Sequence, residues 1–182
     1  MYGPVRRGGR SMSLAEELLE HARFLANLDP RTTSQANIRR AISAAYYSVF
    51  HLLAAEVAAQ VSPAFPAGLR ERTQRALNHT QMQKVAKAFS QAGVKRVKDL
   101  PDDIELPDPV SQELASISNS FKDLQEARHA ADYDVLKHFD PIVAVLYVQE
   151  AENIFKDWNS EKNSNNTPVF LAALMFGKDW NK

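Results

Sequence analysis

The sequence predicts an all-α fold, an antiparallel bundle of four long helices with shorter ones between them. Three observations carry this. Residues 38–56, IRRAISAAYYSVFHLLAAE, contain no Gly or Pro, and good helix formers fill most positions. Val110, Leu114, Ile117, Phe121 and Leu124 recur at alternating steps of four and three, a heptad-like stripe. No stretch of any length alternates apolar and polar residues as a strand would, and no internal repeat is visible. A chain of 182 residues suffices for one domain with a sizeable core.

The elements follow in order. Residues 1–12 are basic and Gly-rich without the apolar run of a signal peptide, and read as a disordered arm. Ser13 and Glu16 fit a capping box for a helix over 14–28, which Asp29-Pro30 stops. Ser34 caps the central helix, which runs to about Gln60. At about 100° per residue, Ile38, Ala41, Ile42, Ala45, Val49, Leu52 and Leu53 share one broad face, widened by Tyr46 and Phe50. Two Pro and a Gly make 61–70 a loop, followed by a helical turn over 71–77. A short helix over 80–92 buries Met82, Val85 and Phe89 and closes at Gly93. Residues 94–109 are a charged connection. Asp140-Pro141 opens the last long helix, whose buried set is Ala144, Tyr147, Val148, Ala151, Ile154, Phe155 and Trp158. The bundle is thus expected over 13–159. Residues 160–182 form a polar linker and a short apolar tail helix that folds back over the bundle, and Trp158 and Trp180 pack at helix ends.

Composition narrows the classes of function. Acidic and basic residues number 22 each, so net charge selects no partner. The absence of Cys excludes disulfides and thiolate metal sites and makes the cytoplasm the simpler location. No run approaches the roughly 20 uncharged apolar residues of a membrane span. There is no Walker-type phosphate loop, no HExxH helix and no spaced carboxylate–His set, so neither metal nor cofactor is expected.

Two places bear polar groups where a core is expected. Arg40, Tyr47 and His51 line up on one arc of the central helix, at spacings of seven and four. A lone His on such a helix is ordinarily a core or interface residue; a cation and a phenol beside it open a binding role. Arg128 lies eighteen residues, five whole turns, beyond Val110 and therefore points inward, and Asp132 follows four residues later. An inward charge pair is costly unless both partners are hydrogen-bonded. It serves either as a brace to the central helix or as a preoriented arginine for a phosphate or base edge.

These residues resemble a family. Arg39-Arg40-Ala41-Ile42-Ser43-Ala44-Ala45-Tyr46-Tyr47-Ser48-Val49-Phe50-His51 is similar to the "RRA-x-S-x-A-YY-x-x-FH" signature of HEPN-domain proteins. Arg128-His129-Ala130-Ala131-Asp132-Tyr133 matches that family's "R-x-x-A-D-Y". The resemblance spans 14–158. It implies an all-α bundle, commonly a homodimer, that binds nucleotides or RNA. Many members are ribonucleases, often toxins paired with a small nucleotidyltransferase-like antitoxin. Ribonuclease members carry a His separated from the Arg by four to six residues, where this chain has Tyr133, Asp134 and Val135. Cleavage through a 2′-hydroxyl needs a proton acceptor and donor near neutral pKa, which Tyr does not supply. Arg72 and His79 satisfy the spacing but fall in the wrong part of the bundle and are read as coincidence. The expected ligand site is one crevice shared by Arg40, Tyr47, His51, Arg128, Asp132 and Tyr133. Arg128, His51 and Tyr133 are its candidates for chemistry, and a second subunit completes it.

Charge is unevenly spread. Over 70–98, eight cations (Arg70, Arg72, Arg75, Lys84, Lys87, Lys95, Arg96 and Lys98) face only Glu71, a balance of +7. Over 99–126, eight acids face only Lys122, a balance of −7. The basic block is either a phosphate-contacting surface, whose binding would fall steeply with salt, or the counterpart that neutralises the acidic block.

Overall fold

The computed structural model describes residues 12–61, 66–98, 100 and 105–177. Most of the basic arm, Trp180 and the side chain of Arg70 lie outside them. The described residues form seven α-helices and no strand: α1 (Leu14–Ala26), α2 (Gln35–Val61), α3 (Ala67–Ala76), α4 (His79–Ala88), α5 (Gln112–Tyr133), α6 (Pro141–Glu161) and α7 (Thr167–Phe176). The protein is an all-α bundle. Its centre is α2, which packs against α1, α3, α5, α6 and α7. Short connections join α1 to α2 and α5 to α6, which pack as neighbours. By length and composition α2 would also pass for a membrane span, but most of it is buried inside the bundle.

Local chemistry accounts for where most helices begin. Ser13 and Glu16 form the reciprocal capping box of α1. The Ser34 hydroxyl accepts the Asn37 N–H at 3.3 Å and opens α2. Asn78 caps α4, Ser111 caps α5, and Asp140 with Pro141 opens α6.

Several boundaries differ from the sequence reading, among them the end of α1, at Ala26 rather than 28. The stretch expected to be loop as far as Arg70 turns helical at Ala67, behind Pro66. Helix α4 stops at Ala88 rather than 92, with Phe89 as its C-cap. Gly93 does not close it. Its φ of 84° turns the chain so that its N–H donates to Val110 O at 2.8 Å, and the Val110 N–H donates to Val94 O at 2.8 Å. Val110, the first residue of the heptad-like stripe, therefore precedes α5, although it is buried like the rest of the stripe.

The polar stretch after Trp158 is tightly held. Helix α6 continues through Glu161, whose buried carboxylate accepts hydrogen bonds from Ser111 (2.8 Å) and Ser164. The Thr167 hydroxyl donates to Glu161 O at 2.8 Å, and the Asn166 amide donates to Asp108 O at 2.8 Å. Helix α7 then lies on α2 and α4 in the main core, with Phe170 edge-on to Phe89 at 5.2 Å and near Trp158 at 6.5 Å. A second, smaller core of Ile38, Ala41, Ile42, Ala127, Ala131, Phe139 and Ala144 sits where the start of α2 meets the end of α5.

Candidate functional site

Above that second core the end of α5 is secured from α2. Arg39 donates to the carbonyls of Ala131 (2.8 Å), Asp134 (2.9 Å) and Lys137, with its guanidinium 5.3 Å from the Phe139 ring. It thus caps carbonyls that a helix C-terminus leaves unpaired. Gln35 clamps Phe139 from both sides, donating to its carbonyl at 2.7 Å and accepting from its N–H at 3.0 Å.

On the α5 turn so fixed, Arg128 and Asp132 meet. Arg128 Nε lies 2.8 Å from Asp132 Oδ2, and the two side chains are only 18% and 22% exposed. The Ser43 hydroxyl of α2 donates to Asp132 Oδ1 at 2.6 Å, and Arg128 Nη2 donates to the Tyr47 hydroxyl. The guanidinium lies 5.1 Å from the Tyr47 ring and 5.5 Å from the Tyr133 ring. Burial works against its charge. Tyr47, Asp132 and Tyr133 outweigh burial and hold its pKa above the ordinary guanidinium value. Its Nε, although close to Asp132, is buried without a hydrogen bond among the described residues.

The structure adds His79. Set aside on sequence grounds as belonging elsewhere, it stands at the first turn of α4 against the Tyr46–Tyr47 wall of α2. The Tyr46 hydroxyl and His79 Nδ1 are 2.6 Å apart, and the His79 ring lies 4.3 Å from Phe50 and 6.2 Å, edge-on, from Tyr47. Burial pushes the Tyr46 phenol far above its usual range, so it keeps its proton and donates. Burial, the Arg128 charge and His51 together lower the His79 pKa, which keeps the imidazole neutral and Nδ1 an acceptor. The proton then resides on Nε2, which has no polar partner among the described residues. The spacing from Arg72 was the one signal in the sequence that could have marked His79. Yet Arg72 is exposed and plays no part; Arg128, from a different helix, is the cation that acts on it.

The other candidates separate. Tyr133 flanks Arg128 while remaining 62% exposed, and His129 stacks beside it at 5.0 Å. His51, its pKa lowered by burial, lies edge-on to Phe50 at 5.4 Å and lines a different cavity with Glu16, Gln74 and Trp158. Arg40 is exposed and has no polar partner among the described residues. The arc read from α2 is therefore divided: Tyr47 joins Arg128, and the other two do not touch it. Among the basic residues Lys84, Lys87, Arg96 and Lys98 line one cavity, whereas Arg72, Arg75 and Lys95 are exposed outside it. No group of three or more His, Asp or Glu able to hold a metal occurs among the described residues. In comparison with known proteins, the chain matches no family model, no curated protein and no solved structure.

Proposed function

We propose that this chain is a HEPN-like nucleotide- or RNA-binding module in which Arg128 receives a phosphate oxygen. One observation carries the reading: Arg128 is held by Asp132 and Tyr47 and flanked by two tyrosine faces, one of them, Tyr133, exposed. An arginine needed only as a brace has no use for an exposed aromatic such as Tyr133 beside it. A guanidinium fixed between rings suits a phosphate with a base stacked nearby. The resemblance adds a homodimer, a nucleotidyltransferase-like antitoxin and a toxin–antitoxin or stress-response setting.

The test is Arg128→Ala, titrated with nucleotide and with single-stranded RNA. Loss of a charge-assisted hydrogen bond of about 1.5–3 kcal/mol lowers affinity by one to two orders of magnitude while helicity is retained. Unchanged binding defeats the reading, and an unfolded variant assigns Arg128 to bracing alone.

His79 favours a second reading, a metal-independent endoribonuclease with an altered acid/base site. A neutral imidazole in the field of Arg128 is the group missing from the Tyr133–Val135 positions. Incubation with RNA in the presence of a chelator separates the two. Cleavage lost in both Arg128→Ala and His79→Ala establishes the enzyme, and binding without cleavage favours the module. Absence of both leaves a dimerising interaction module without ligand.

A further inference from the structure

A cavity of the molecule lies away from Arg128. About 680 Å³ in volume, it is walled by α4, the connection after it and the end of α7. That is well within the size of small-molecule sites. Its lining is mixed: Val94 and Leu100 present partly exposed apolar surface, with Val85, Phe89 and Ala173 buried behind it, beside polar Gln81, Ser90 and Gln91. Four cations, Lys84, Lys87, Arg96 and Lys98, stand around it, and no described lining residue is acidic. None of the four has a carboxylate within 4.0 Å or a side-chain hydrogen bond among the described residues.

Cations on a folded surface are ordinarily interspersed with acids, which lowers their mutual repulsion. Four with no acidic partner among the described residues, around a partly apolar hollow, raise the local potential and concentrate anions there. A single carboxylate would leave most of that charge unanswered; a phosphate or diphosphate matches it. The hollow beneath offers desolvation to a body of ring size and nothing to a bare ion. His79 and the cavity residues Gln81, Lys84 and Ala88 lie on different sides of α4, so this cavity and the Arg128 cluster are separate places.

We infer that the α4–α7 cavity is a second binding site, for a phosphorylated small molecule of nucleotide size. Its phosphates meet Lys84, Lys87, Arg96 and Lys98, and its apolar body lies against Val94 and Leu100. The inference does not depend on the role proposed for Arg128.

ADP is the probe, read by calorimetry and by hydrogen exchange of the full chain. ADP should slow exchange over 81–100 and 173–177, and the double variant Lys84→Gln/Arg96→Gln should bind it at least tenfold more weakly with unchanged helicity. Both substituted residues are exposed, so folding is not at stake. Protection confined to 128–133 would place ADP at Arg128 and overturn the inference. Equal affinity in the double variant would overturn it too, as would no binding at millimolar ADP. Inorganic phosphate competing as well as ADP would mean that the apolar surface has no part. Protection of 81–100 by single-stranded RNA but not by ADP would make the cavity part of a strand-binding surface instead.

Discussion

At the scale of single residues, the most informative group is His79. Burial, with the Arg128 charge and His51 nearby, keeps it neutral, and burial does the same for His51. Both folded pKa values lie below the ordinary 6.5, so the unfolded chain takes up protons that the folded one resists. Stability is complete above pH 6.5 and declines as pH falls from there toward the lowered folded values. The melting temperature is therefore expected to drop between about pH 7.5 and about pH 5.5, and the double variant His51→Gln/His79→Gln should flatten that slope. An unchanged slope, measured by circular dichroism, would mean that these imidazoles titrate normally. Arg128 and Asp132 were legible in the sequence because a helical repeat assigns direction to every residue on its stripe. His79 was not, since nothing local in a ten-residue helix says which neighbour it meets.

At the scale of elements, Arg39 does what a C-terminal glycine commonly does for a helix. The carbonyls of Ala131 and Asp134 at the end of α5, and that of Lys137 just beyond it, accept from Arg39, and that last turn carries Asp132 and Tyr133. Arg39→Ala should cost about 2 kcal/mol in urea unfolding and speed hydrogen exchange over 129–134. Arg39→Lys should recover less than half of this, because a point charge cannot reproduce the planar fork. Element boundaries were read well where a capping side chain marks them, as at Ser13, Ser34 and Asp140. They were misread where a glycine served something other than a cap. Gly93 looked like the end of α4 but instead turns the chain into pairing with Val110.

At the scale of the whole molecule, α7 belongs to the core. Phe170 is buried between Phe89 and Trp158, joining the end of the chain to α4 and α6. Phe170→Ala should destabilise the protein by about 3–5 kcal/mol, seen as a lower urea midpoint. An effect below about 1 kcal/mol would mean that α7 lies on the bundle without completing it. The polar residues before it look like linker by composition, yet Glu161, Asn166 and Thr167 are buried and hydrogen-bonded. Composition reports what water would tolerate, whereas these side chains satisfy one another and nearby backbone.

The sequence by itself determined the all-α class, the central place of α2, most helix starts and the inward direction of Arg128 and Asp132. All of these depend on repeat period and on caps that act within a few residues. Only the tertiary structure decided that Tyr47, and not Arg40 or His51, meets Arg128. It alone brought His79 to Tyr46, gave Arg39 its carbonyls, and gathered Lys84, Lys87, Arg96 and Lys98 around one hollow. Those contacts join residues distant in the chain, and their geometry is set by how helices pack rather than by any pattern along one of them.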